Sequence, residues 1–150
     1  MKKTRTAFTM MELIFVIVVI GILAAVAVPR LSATRDDAEI TRARTLVASI
    51  RNALAMERQK RILRGNFKKL EAVGDSTNVF GNFYDEDGDT GIAVLEYPIA
   101  SENKKGRWEF SAGTPNQYIF HMLGDVAFKV DGGKFVCVDD TTDACKTLTN

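Results

Sequence analysis

Residues 1–30 read MKKTRTAFTMMELIFVIVVIGILAAVAVPR, and the rest of the chain depends on whether this stretch is a membrane helix, a signal or a core helix. From Phe8 to Val28 every residue is apolar or glycine except Thr9 and Glu12. As a helix rising about 1.5 Å per residue, the run is long enough to cross a hydrocarbon core about 30 Å thick. Glu12 is the anomaly. An ionised carboxylate at the centre of a membrane helix costs roughly 2.5–3.5 kcal/mol, less nearer an end, so it needs a partner or a purpose. Lys2, Lys3 and Arg5 precede the run. They place that end in the cytoplasm by the positive-inside tendency and send everything beyond Val28 outward.

Three ordinary readings compete for this stretch. A buried core helix is excluded by the length of the apolar run. A cleaved secretory signal finds a small-residue site at Ala25, Val26 and Ala27, but its apolar region is shorter, about 7 to 15 residues, and carries no acid. A plain uncleaved anchor explains the length and the basic flank and leaves Glu12 unexplained.

A fourth reading comes from the order of residues: a short basic leader, the small Ala7, then Phe8-Thr9-Met10-Met11-Glu12, then an apolar helix ending GILAAVAVPR. This resembles the N-terminus of type IV pilins and of the pseudopilins of type II secretion systems. The resemblance implies cleavage by a prepilin peptidase between Ala7 and Phe8, and methylation of the new amine of Phe8. It also implies that Glu12 pairs with the N-terminal amine of a neighbouring subunit during filament assembly. In a low-dielectric setting such a pair gains far more than in water, and a carboxylate without it is stranded. Ala7 stands where the family usually has glycine, and Met10-Met11 replaces the commoner Leu-Ile.

Beyond the apolar run, Gly21, Ala24, Ala25 and Ala27 offer a smooth face for close helix approach. Pro29 lacks an N–H and crowds the carbonyl of Ala25, which predicts a kink or a loosened turn; the resemblance implies that this Gly-to-Pro stretch can melt during assembly. Ile40, Ala43, Leu46, Val47, Ile50, Ala53 and Leu54 then recur at spacings of three and four, with Arg35, Arg42, Arg44 and Arg51 elsewhere on the wheel. Lys60, Arg61 and Arg64 before Gly65 form a C-terminal signal. The helix is therefore expected from about Thr9 to about Arg64.

The expected organisation is α+β and pilin-like: a leader over 1–7, a transmembrane helix and filament core over 8–28, an amphipathic stem over 29–64 and a head over 65–150. Within the head, 65–104 reads as irregular, broken by Gly74, Gly81, Gly88, Gly91 and Pro98. Residues 105–138 read as four strands, RWEFSA, QYIFHM, DVAFKV and KFVCV, joined by short turns into an antiparallel meander. Trp108, Phe110, Tyr118, Phe120, Val126, Phe128 and Val130 alternate with more polar neighbours, so one face packs on the stem. Cys137 and Cys145 are the only cysteines. In an exported compartment they are expected to close a terminal disulfide loop over 137–145, the alternative being two free buried thiols.

Asp85, Asp87, Asp89 and Glu96 fall at positions one, three, five and twelve of a calcium-loop template, although Thr90 stands where the template needs glycine. Calcium is thus a candidate ligand, against a solvated acidic turn; no cofactor is otherwise required. Charge is segregated, with seven basic side chains and one acid in 51–69, and eight acids and no base in 71–102. Two solvated faces are the bland reading, and an acidic loop meeting the basic stem of another subunit is the sharper one. Three of the 20 basic residues and none of the 19 acids lie in 1–7, so the exported part carries a slight acid excess with no pull towards nucleic acid. A single histidine, His121, and the absence of G-x-S-x-G or a phosphate-cradling glycine loop argue against an enzyme. The resemblance implies instead a structural subunit of a pseudopilus or type IV pilus. It is anchored in the bacterial inner membrane with its head in the periplasm, and its partners are other pilins, the prepilin peptidase and an inner-membrane assembly platform. An uncleaved, membrane-anchored periplasmic binding module is the alternative.

Overall fold

The computed structural model describes residues 8–149. Helix α1 (Met10–Leu63) is followed by strands β1 (Leu70–Ala72), β2 (Asn82–Asp85), β3 (Gly88–Ala93), β4 (Trp108–Ser111), β5 (Gln117–Phe120), β6 (Val126–Asp131) and β7 (Lys134–Cys137), then by helix α2 (Asp143–Thr149). The chain divides into two compact units, one up to Ala38 and one from Glu39 on.

In the first unit α1 is helical throughout, and from Met10 to Leu31 every side chain is exposed. Pro29 lies inside the helix without interrupting it. Thr9 caps the start, its Oγ1 accepting from the Glu12 N–H at 3.2 Å.

In the second unit the same helix turns amphipathic. Ala43, Val47, Ile50 and Leu54 are buried at alternating spacings of four and three, and the row continues through Glu57 and Arg61, also buried. The helix ends where the cations and Gly65 predict: Gly65 has φ 73°, its N–H donates to the Ile62 carbonyl at 3.0 Å, and the Asn66 N–H donates to the Arg61 carbonyl at 2.9 Å. These are the paired bonds of a Schellman cap.

The four-stranded meander forms as expected, in the order β4-β5-β6-β7. Its register pairs Trp108 with Phe120, Tyr118 with Phe128 and Val130 with Phe135. Alternation puts Tyr118, Phe120, Val126, Phe128, Val130 and Phe135 into one core with the α1 stripe. Phe128 stacks on Phe135 at 5.0 Å, and Phe80 meets Trp108 edge-on at 5.2 Å. The buried Tyr118 hydroxyl accepts from the Val73 N–H at 2.9 Å, and burial pushes its ionisation up to about 12.

The stretch 65–104 departs from the expected irregular loop: β1, β2 and β3 form a three-stranded antiparallel sheet. Asp85 pairs with Gly88 across a two-residue turn at Glu86-Asp87. Gly88 (φ 115°) and Gly91 (φ 66°) supply backbone conformations that a side chain resists, so residues that read as breakers make this hairpin. Strand β3, GDTGIA, is largely exposed and offers no apolar alternation to detect. Polar side chains hold it instead: Thr90 Oγ1 donates to the Phe83 carbonyl at 2.8 Å, and Asn82 Nδ2 donates to Asp89 Oδ2 at 3.1 Å.

Cys137 and Cys145 form the disulfide. Beyond it α2, absent from the sequence reading, is fixed by buried Cys145 and Leu148. Arg44 Nε donates to the Thr147 carbonyl at 2.8 Å, so a stem cation sits at the C-terminal end of the short helix.

Candidate functional site

Glu12 occupies the third position of α1, in the first turn, where the exposed main-chain N–H groups give the helix its positive end. Its backbone is tied to Thr9, and no ion pair to its carboxylate occurs among the described residues. Around it the surface is apolar: Phe8 is 68% exposed, Met11 78% and Phe15 68%. The helix is long and apolar enough to cross a membrane, and none of its apolar window is buried in the protein. Among the described residues nothing covers that surface or pairs with that charge. Ala7 and the basic leader lie outside the described residues, so of the expected cleavage site only Phe8 is placed.

The calcium-template carboxylates do not converge. Asp85 lies at the end of β2 and Asp89 in β3, on opposite sides of the hairpin turn, and no group of three metal-binding side chains forms among the described residues. Three of the four have protein partners. Asp85 accepts from Arg61 Nη1 at 2.7 Å and from the Asp87 N–H at 3.0 Å. Asp87 pairs with Lys68. Asp89 accepts from Asn82 and from the Gly91 N–H. Glu96 is exposed beyond β3. Among the described residues, Asp85, Asp87 and Asp89 are thus engaged with protein partners rather than gathered around one point.

Arg61 takes the central place in this part of the head. The residue is 6% exposed, and its guanidinium reaches Glu57 Oε1 at 3.1 Å as well as Asp85. Burial alone would favour its neutral form, but the hydrogen bonds and charges of Asp85 and Glu57 outweigh that and hold it above its ordinary value. The hydrogen bond from Arg61 pulls Asp85 below the usual carboxylate range. The acidic hairpin therefore meets the basic stem within one chain, through Arg61–Asp85 and Lys68–Asp87. The charge segregation announced both sides of this arrangement. That Arg61 is the buried anchor was missed, although its place four residues after Glu57 and seven after Leu54 continues the buried row.

His121 is no lone catalytic base. Its Nε2 lies 2.8 Å from Glu109 Oε2 and its Nδ1 3.0 Å from Asp125 Oδ1, a chain of polar contacts along β4, β5 and the turn before β6.

Against known proteins, a 58-residue stretch is 41% identical to type II secretion system core protein G of Vibrio cholerae, covering 37% of this chain and 40% of the relative. A 55-residue stretch is 36% identical to the protein of the same name from Aeromonas hydrophila, covering 37% and 38%. Over these residues the chain is similar to proteins named type II secretion system core protein G. The match spans about two fifths of those relatives' length. No family model matches the chain, and no solved structure does. The expected pilin-like α+β fold is present in the long N-terminal helix and the antiparallel sheet, and Cys137 and Cys145 form the expected disulfide.

Proposed function

We propose that this chain is a structural subunit, not an enzyme: a prepilin cut between Ala7 and Phe8, methylated on the Phe8 amine and assembled into the pseudopilus of a type II secretion system or a type IV pilus. The carrying observation is an exposed apolar helix with a single carboxylate in its first turn, four residues after Phe8, and no cation paired with it among the described residues. In a bundle of such helices the apolar faces cover one another. The amine released at Phe8 of one subunit then meets Glu12 of another, turning a costly charge into a condition for docking. The names of the relatives favour the pseudopilus. The proposed partners are other pilins, the prepilin peptidase and an inner-membrane assembly platform, with the head in the periplasm.

Mass spectrometry of the chain from its native membrane tests the processing. A mature N-terminus at methylated Phe8 is expected; a chain that keeps Met1 is an anchored module, and one beginning beyond Ala27 is a secreted protein. Glu12→Gln tests the docking, with filament yield expected to fall at least about tenfold, since a lost buried partner costs more than the roughly 1.4 kcal/mol that tenfold represents. Normal filament growth by that variant would end the proposal.

A further inference from the structure

With Arg61 and Lys68 matched inside the chain, a second group of cations is left. Two contiguous grooves, of about 550 Å³ and about 370 Å³, share Arg58, Ile62 and Gly133 and run between the last turns of α1, strand β7 and the segment before β1. They are lined by the apolar Ile62, Phe67 and Phe135 and by the cations Arg58, Lys69 and Lys134. Among the described residues none of these three cations has a carboxylate partner, and Arg51 at the groove's end bonds only to the main-chain carbonyls of Phe135 and Thr149. Phe67 is 78% exposed. An apolar trough lined with unneutralised cations fits an acidic segment with an apolar residue beside its charges.

The same head carries such a segment. Val138, 46% exposed, is followed by exposed Asp139 and Asp140, and by Asp143 at the start of α2. The disulfide closes this loop, so holding it in a groove sacrifices little chain entropy. Strand β7 runs against the direction of α1: Lys134 lies beside Arg58 and Gln59, the Phe135 carbonyl meets Arg51, and Thr147 of α2 meets Arg44. The Val138 N–H donates to the Ala127 carbonyl beside Phe120 and Trp108, which line a cleft with Ala43 and Leu46, so groove and acidic loop lie towards opposite ends of the head's share of α1. A copy displaced along that axis brings its loop to the next copy's groove. Two different patches meeting in this way form a heterologous contact, which propagates without closing. Acids and bases nearly balance over 39–150, which favours a partner of the same composition over a polyanion such as nucleic acid.

We infer that the cationic groove between α1 and β7 receives the acidic disulfide loop, Val138 to Asp143, of a second copy of this chain. The inference rests on the filament reading and names its head-to-head contact.

The test places a photo-crosslinking residue at Gln59 of the full chain in cells that assemble it, with a second chain carrying the crosslinker at Val16 to report the apolar core. A Gln59 dimer whose adduct maps to 138–143 is expected. It should fall at least about tenfold on combining Arg58→Glu with Lys134→Glu, and return when Asp139→Lys and Asp140→Lys are added, because like charges across an interface cost several kcal/mol. Adducts mapping elsewhere, adducts to nucleic acid, or a dimer indifferent to the reversals would each overturn the docking. Val16 dimers without Gln59 dimers overturn the docking and leave the filament standing; Gln59 dimers without Val16 dimers do the reverse; absence of both removes both.

Discussion

From Met10 to Leu31 helix α1 exposes every side chain, whereas from Glu39 to Leu63 the same helix buries Ala43, Val47, Ile50, Leu54, Glu57 and Arg61. Both stretches obey the same backbone hydrogen-bond pattern. They differ in where their partners are. The later stretch finds strands and loops of its own chain, so its buried charges, Glu57 and Arg61, are matched in place and its apolar stripe is covered. The earlier stretch holds apolar surface and a carboxylate for which the described residues supply no partner, which is surface suited to lipid or to other copies.

The comparison predicts that substitutions in the two stretches report on different events. The head's unfolding can be followed through Trp108, the only tryptophan, which is buried in the head, with the full chain held in detergent. The largest effect is expected from Arg61→Ala, which strands Asp85 and Glu57: a loss of about 3–5 kcal/mol in denaturant unfolding. A loss below about 1 kcal/mol, the range of an exposed pair, would show that the triad behaves as a surface feature. Next, Cys137→Ser with Cys145→Ser opens a loop of eight-residue separation and should cost about 2–3 kcal/mol. If it instead leaves the midpoint unchanged, α2 is held by Leu148 and the arginine contacts alone.

Acid should act more gradually. Asp85 is held low by Arg61, and Asp75 by the N–H groups of Asn78 and Thr77. A carboxylate whose folded value is depressed contributes stability that is present above its unfolded value, near pH 4, and lost as pH falls through the folded value. Head stability is therefore expected to be level from neutral pH to about pH 5 and to decline below about pH 4, with a shallower decline in Asp85→Asn. A decline that begins above pH 6 would point to another group. The smallest effects are the controls. Ile17→Ala, in the uncovered stretch, should move the Trp108 transition by no more than about 0.5 kcal/mol. Calcium should not raise the melting temperature, since Asp85, Asp87 and Asp89 already have protein partners; a calcium-dependent rise would require the hairpin to rearrange.

Much of this was legible in the sequence because it rests on local regularities. The apolar run and Glu12 need only length and charge. The stem stripe needs a period of three and four, the meander a period of two, and the disulfide two cysteines in a chain expected to be exported. The three-stranded sheet was not legible, because β3 is polar and exposed and its glycines serve as turn residues. Helix α2 was hidden for a related reason: DACKTLT is short, and it is stabilised by a disulfide and by Arg44, 103 positions away from Thr147. The calcium template rested on spacing alone, whereas Asp85 and Asp89 belong to successive cross-strand pairs of the hairpin, which direct side chains to opposite faces.

Sequence alone therefore determined the plan of the chain, an apolar helix with one acid at its start and a head built on the helix's later turns, because periodicity and hydrophobic length act between near neighbours. Tertiary structure alone decided which charges were answered. It gave Asp85 to Arg61 and Asp87 to Lys68, and left Arg58, Lys69 and Lys134 along a groove. The strength of an ionic pair depends on distance and burial, and neither can be read from the order of residues.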